Sequence, residues 1–198
     1  MMKSKLLITC LVLSTFLSFS QESTRFESLK NNKAKLDVDW MFSPMIDISG
    51  TSEEFKIFAG GGAAAIFNDN FFAGVYFSSA IGGLNPAGYD DPEEWKNYFE
   101  YGGVWAGYRF NPDKLIHGIL DIKTGFGNLA LGEDLGADWI NQSVYVFKPA
   151  LEMEFNLNKR LRLGFDIHYR YISPVPLYLN DYAYLSGPGL GLTFKYVR

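Results

Sequence analysis

Leu161-Arg162-Leu163-Gly164-Phe165-Asp166-Ile167-His168-Tyr169-Arg170-Tyr171 alternates without a slip. Its odd positions are all aliphatic or aromatic, and its even positions are two arginines, an aspartate, a histidine and a glycine. A period of two is the period of a strand, and it sorts these residues onto two faces, one apolar and one charged. The preceding segment divides the same way, with Phe147, Leu151, Met153 and Phe155 against Lys148, Glu152 and Glu154. Further upstream, Ile116, Leu120 and Ile122 oppose His117, Asp121 and Lys123. Near the start, Leu36, Val38, Trp40, Phe42 and Ile46 oppose Asp37, Asp39 and Asp47.

Extended along the chain, the pattern predicts eight strands, at about 35–48, 55–67, 70–82, 97–110, 115–127, 143–156, 160–172 and 185–198. Asn68-Asp69-Asn70, Asn111-Pro112-Asp113-Lys114 and Leu157-Asn158-Lys159 are tight turns built from turn-forming residues. Between them fall longer connections, Leu84 to Lys96, Gly132 to Gln142 and Pro174 to Tyr184, with a shorter one at Ser49 to Glu54. Short turns at one end and longer loops at the other are the pattern of a membrane-spanning up-and-down barrel, with the turns on the periplasmic side. An even strand count then puts both termini in the periplasm.

Alternation alone would also fit a soluble barrel with its apolar face inward. Ring volume decides between the two. An eight-stranded interior is only just wide enough for side chains. Trp40, Phe42, Phe71, Phe77, Phe147, Phe155, Phe165, Tyr169 and Tyr171 would overfill it, whereas lipid accepts them at no steric cost. The other face carries Gly60, Gly62, Gly74, Ser78, Gly164, Gly189 and Gly191, which suits a narrow lumen. The expected fold is therefore all-β, an eight-stranded antiparallel transmembrane barrel over 35–198.

The inward set holds seven acids, Asp37, Asp39, Asp47, Asp121, Glu152, Glu154 and Asp166. Against them stand seven bases, Lys56, Arg109, Lys123, Lys148, Arg162, Arg170 and Lys195. The parity of Arg109 assumes that Gly102-Gly103 introduces no bulge. Charges in a narrow dry space persist only when paired, so a balanced set predicts a salt-bridged, plugged lumen.

The first twenty residues have the form of a secretory signal peptide, with Lys3 and Lys5 ahead of an apolar run from Leu6 to Phe19 and small residues at Ser18 and Ser20. Residues 21–34 are polar and are expected to form a periplasmic lead-in. The one cysteine, Cys10, would leave with the signal, and so would two lysines. The remaining 16 bases against 22 acids give a net charge of −6. An acidic chain without a basic cluster does not suit nucleic acid. Aromatic residues make up 17% of the sequence, which also holds 20 glycines.

With the strands placed, the chain resembles the small outer-membrane barrels of the OmpX type, and more closely the uncharacterised small outer-membrane barrel proteins of Bacteroidota. The segments that carry the likeness are Tyr108–His117, Lys148–Leu157 and Arg162–Tyr171. The resemblance implies insertion into outer-membrane lipid by the barrel-assembly machinery. Such barrels commonly end on an aromatic residue. This sequence ends Phe194-Lys195-Tyr196-Val197-Arg198, keeping the aromatic spacing but closing on arginine.

Some small barrels modify lipid A, a reaction that needs a histidine base beside a nucleophile or carboxylate within reach of the outer leaflet. His117 follows a periplasmic turn, at the wrong end. His168 stands ~20 Å up its strand, at ~3.3 Å per residue and ~40° tilt. Its parity points it into the lumen between Asp166 and Arg170, so it is a weak candidate base. Asp90-Asp91-Pro92-Glu93-Glu94 lacks the alternating spacing of a calcium loop. Gly60-Gly61-Gly62 is followed by no lysine that would make it a phosphate cradle; these glycines suit a bend or a close approach. No cofactor and no metal are expected. The long connections carry Tyr89, Trp95, Trp139, Tyr178, Tyr182 and Tyr184, which would suit a surface ligand. The expectation is a monomeric, non-enzymatic barrel with a structural or surface-interaction role. The alternatives are a lipid-modifying enzyme using His168 and a narrow transport barrel.

Overall fold

The computed structural model describes residues 37–50, 55–81, 95–133, 140–173 and 185–198. Residues 1–20 and 21–34, expected to form a signal peptide and a lead-in, and the Asp90–Glu94 segment lie outside them. So do Tyr89, Trp139, Tyr178, Tyr182 and Tyr184. The strands are β1 (Val38–Gly50), β2 (Phe55–Phe67), β3 (Phe71–Ala80), β4 (Trp95–Phe110), β5 (Ile116–Glu133), β6 (Ile140–Asn156), β7 (Leu161–Ile172) and β8 (Gly187–Val197). Each pairs antiparallel with the next, and β8 closes onto β1, so the sheet is a barrel with no open edge.

All eight strands fall where the alternation puts them. The loop ends of β4, β5 and β6 run past the expected bounds, β5 furthest, to Glu133 against 127. Trp95 and Lys96 belong to β4, Gly132 to β5, and Ile140–Gln142 to β6, where the sequence reading placed loops. The reason is backbone satisfaction. Trp95 pairs with Glu133 and Leu131 with Ile140, so the ladder runs on as long as both neighbours have partners to offer. These three strands therefore reach further than the rest.

The tight turns are as expected. Asn68, Asp69 and Asn111 adopt φ of 49°, 63° and 55°, a left-handed conformation that Asn and Asp tolerate because a short polar side chain can bond locally. The ladder decides two points about the glycines: Arg109 keeps its inward parity, and Gly60–Gly62 serve a close approach and not a bend. The Gly102-Gly103 pair makes no bulge, since β4 pairs in unbroken register with β5 from Trp95↔Glu133 to Phe110↔Gly118. Nor do Gly60–Gly62 interrupt β2, which pairs continuously with both neighbours. At Gly62 a Cβ would lie 2.9 Å from the Val75 carbonyl oxygen and 3.0 Å from the Trp105 ring, so this glycine makes room for an indole.

Burial follows the alternation. Trp40, Phe42, Phe71, Phe77, Phe165, Tyr169 and Tyr171 are exposed on the outer wall, while the side chains between them are buried. Apolar outside and charged inside is the reverse of a barrel built for water. One feature of the interior has no counterpart in the sequence reading. Phe58, Phe72, Tyr76, Phe99, Tyr101 and Trp105 all point inward from β2, β3 and β4, and all are at most 5% exposed. The lumen thus has a charged side and an aromatic side.

Candidate functional site: the filled lumen

The charged side is built on β5 to β8 with Asp47 from β1 and Arg109 from β4. Five carboxylates (Asp47, Asp121, Glu152, Glu154, Asp166) and five cations (Arg109, Lys123, Lys148, Arg170, Lys195) are buried, none more than 6% exposed. They come together in three groups.

The lowest lies nearest the tight turns and centres on Glu154. Its Oε1 accepts from Arg109 (3.3 Å), from Arg162 (3.3 Å) and from the His117 Nε2 side at 2.9 Å, while Oε2 accepts from Lys195 Nζ at 2.7 Å. Lys195 also donates to Glu152, which takes a further bond from Thr193 at 3.3 Å. Neighbouring strands supply this cluster because Glu154 pairs with His117 on one side and Gly164 on the other. Gly164 keeps the space open for Glu152, whose carboxylate lies where a Cβ would be.

The middle group holds Asp121. It accepts from Lys123 at 2.7 Å and from the Trp105 indole N–H at 3.1 Å. Lys123 stands 4.9 Å above the Trp105 ring, within cation–π range. This is one place where the two sides of the lumen meet.

The upper group centres on Asp47. Lys148 donates to its Oδ2 at 2.6 Å, and the Arg170 Nη1 and His168 Nε2 atoms lie 3.6 Å from Oδ1. His168 Nδ1 is 2.6 Å from Asp166. Gly189 and Gly191 on β8 leave room for His168 and Asp166 respectively. Arg170 spreads over the Phe58 ring at 3.6 Å and donates to the Leu185 carbonyl at 2.8 Å and the Tyr101 hydroxyl at 3.3 Å. Above it, Phe58, Phe99 and Tyr101 pack edge-on and stacked with centroids 5.2–6.0 Å apart.

Eleven of the fourteen expected lumenal charges therefore enter these groups, Arg162 at the 13%-exposed lower margin. Three do not. Asp37 precedes β1 and is exposed, so its parity does not carry it into the barrel. Asp39 and Lys56 keep inward parity but are only half-buried, at opposite ends of the wall, where the lumen opens. Alternation assigns a face, and the distance from the strand end decides whether the face is dry. His117, named above as standing at the wrong end for outer-leaflet chemistry, faces the lumen and hydrogen-bonds with Glu154. Trp105 and Tyr101 were missed, because an aromatic residue in a strand with apolar residues on both faces carries no parity signal.

No family model matches this chain, and no curated protein matches it. Solved structures do share its fold. Neisserial surface protein A is 12% identical with a TM-score of 0.56, over 82% of this chain and 97% of that one. The N-terminal β-barrel domain of Pseudomonas aeruginosa OprF is 7% identical with a TM-score of 0.55, over 83% and 100%. The outer membrane protein OprG of the same species is 11% identical with a TM-score of 0.51, over 83% and 97%. The chain thus has the closed eight-stranded architecture of small outer-membrane barrels. At these identities the likeness is one of fold.

Proposed function

We propose that this protein is an outer-membrane barrel with a sealed lumen, acting as a monomeric, non-enzymatic scaffold that presents its longer strands and connections at the cell surface. The observation that carries this reading is the pairing of ten buried charges inside a wall whose outer face is apolar. A transport barrel needs a continuous wet path. Here Glu154 and its four partners fill the lower lumen, and Arg170 under the Phe58, Phe99 and Tyr101 rings fills the upper. Desolvated and paired, these charges hold the strands in one arrangement, which is a structural role. The test is electrical. Purified protein in planar bilayers is expected to show no stable conductance steps, and large reproducible channels in the wild-type protein would overturn the reading.

One observation favours the lipid-modifying alternative. Asp166 holds His168 Nδ1, as the third member of a catalytic triad would, and His168 Nε2 has no hydrogen-bond partner among the described residues. Against it, His168 is 6% exposed and faces Asp47 across the lumen, away from lipid. Lipid A mass spectrometry on cells with and without the gene separates the two readings. An acyl-chain difference that disappears in His168→Ala would install the enzyme.

A further inference from the structure

Proline has no N–H to give to a ladder, and in a lipid-facing wall the carbonyl opposite it has no bulk water to turn to. Pro149 stands inside β6, and the β6–β7 pairing lapses there, passing from Phe147↔Tyr171 to Ala150↔His168 with no pair between. The phase of that ladder is fixed by the Ser173 N–H, which donates to the Tyr145 carbonyl at 2.9 Å. Bonded pairs recur at every second residue, so 145 with 173 and 147 with 171 are followed by 149 with 169. The missing N–H is therefore the one that would donate to the Tyr169 carbonyl. Among the described residues no side chain supplies that oxygen with a donor in its place.

The wall around this carbonyl is hollowed. Tyr169 pairs on its other side with Pro188 of β8, so two compact rings flank it. One row nearer the tight turns, Leu151, Ile167 and Leu190 pair across β6, β7 and β8 and are 53%, 58% and 64% exposed. These six residues line one apolar groove of about 670 Å³. Tyr169 lies eight residues above Leu161, ~20 Å at ~3.3 Å per residue and ~40° tilt. The apolar band of such barrels is ~25 Å tall, so the carbonyl lies near its upper edge, a few acyl carbons below the headgroups of the surface leaflet.

An oxygen that needs a donor at that depth selects among lipids. The ester-linked chains of a phospholipid carry neither O–H nor N–H there, whereas a lipid A chain hydroxylated on its third carbon does. We infer that the groove seats one 3-hydroxyacyl chain of lipid A. Its hydroxyl donates to the Tyr169 carbonyl in place of the absent N–H, and its hydrocarbon runs down over Leu151, Ile167 and Leu190. The branched side chains hold the tail by dispersion, and the hydroxyl supplies the selectivity.

The inference rests on the outer-membrane reading above, and its test keeps the two apart. The barrel is refolded into phosphatidylglycerol vesicles holding equal amounts of synthetic lipid A with 3-hydroxyacyl chains and of its 3-deoxy counterpart. Complexes extracted in mild detergent are then weighed by native mass spectrometry, which tells the lipids apart. The wild type is expected to retain the hydroxylated form about fivefold over the deoxy form, the discrimination of one modest hydrogen bond. Pro149→Val restores the ladder N–H and should bring the ratio near one. Leu190→Trp fills the groove and should cut retention of both forms. Pro44→Val repairs a like gap between β1 and β8, where the pairing passes from Phe42↔Tyr196 to Met45↔Thr193, and should leave the ratio at its wild-type value. An inserted wild type without the preference, or one that retains phosphatidylglycerol in place of either lipid A, overturns the acyl-chain site alone. So does a preference that survives Pro149→Val or vanishes in Pro44→Val, or retention undiminished by Leu190→Trp. Failure of the wild type to insert overturns the membrane reading and this site with it.

Discussion

On β5 to β8 the long inward side chains are mostly ionic: Asp121, Lys123, Lys148, Glu152, Glu154, Arg162, Asp166, Arg170 and Lys195. On β2 to β4 they are mostly rings, Phe58, Phe72, Tyr76, Phe99, Tyr101 and Trp105, spaced by Gly60, Gly62, Gly74, Gly103 and Gly107. Both halves fill the same narrow tube, but by different physics. The charged half gains little net energy from each pair, because desolvation offsets attraction, yet it loses heavily when one partner goes. The aromatic half gains from burial and edge-to-face packing, and its constraint is volume. The two should therefore fail differently under mutation.

The largest effect is expected at Glu154. Glu154→Ala leaves Arg109, Lys195 and Arg162 short of their acceptor in a dry site and should cost about 3–5 kcal/mol, read by urea unfolding of the barrel in lipid vesicles. If the cost is under 1 kcal/mol, water reaches the lower lumen and the plug is not dry. The pair Glu152→Gln with Lys195→Met, which removes both members of one contact, should cost less than the sum of the single changes. Additive costs there would mean the two charges do not act together.

An intermediate effect is expected on the aromatic side. Gly62→Val adds methyl groups where a Cβ already meets the Val75 carbonyl oxygen at 2.9 Å and Trp105 at 3.0 Å. Overpacking of that kind should cost about 1–3 kcal/mol in the same unfolding measurement. A neutral outcome would show slack between the halves where the structure has contact.

The smallest effect is expected where the halves touch through one hydrogen bond. Tyr101→Phe keeps the ring beside Arg170 and deletes only the hydroxyl that accepts from Nη1 at 3.3 Å. A bond to a charged donor of that length supports a loss of about 1–2 kcal/mol. A loss as large as that of Glu154→Ala would mean that the upper seal depends on this hydroxyl more than on the stacked rings.

The same contrast explains what could be read in advance. On β7 an arginine, an aspartate and a histidine each follow an aliphatic or aromatic residue, so parity is visible and His168, Asp166 and Arg170 fall where expected. On β4, Phe99, Tyr101 and Trp105 alternate with Tyr98, Gly102 and Val104, and the segment shows no polar face to orient it. Only the register with β3 and β5 tells which rings go inside. Asp37 shows the opposite limit, correct in parity but past the end of the ladder.

Accessibility measures the central claim, apolar wall to lipid and filled lumen within, most directly. Phe42 and Ser43 are neighbours on β1 at 56% and 1% exposure, and Leu192 and Thr193 are neighbours on β8 at 42% and 1%. Single changes Phe42→Cys, Ser43→Cys, Leu192→Cys and Thr193→Cys, made in a Cys10→Ser background, can be challenged in vesicles with a membrane-partitioned thiol reagent and a charged, water-soluble one. The thiols at 42 and 192 should react with the first reagent and resist the second, and those at 43 and 193 should resist both until the barrel is unfolded in urea. Rapid modification at 42 and 192 by the water-soluble reagent would make this a barrel that lives in water, and rapid modification at 43 and 193 would make its lumen an open channel.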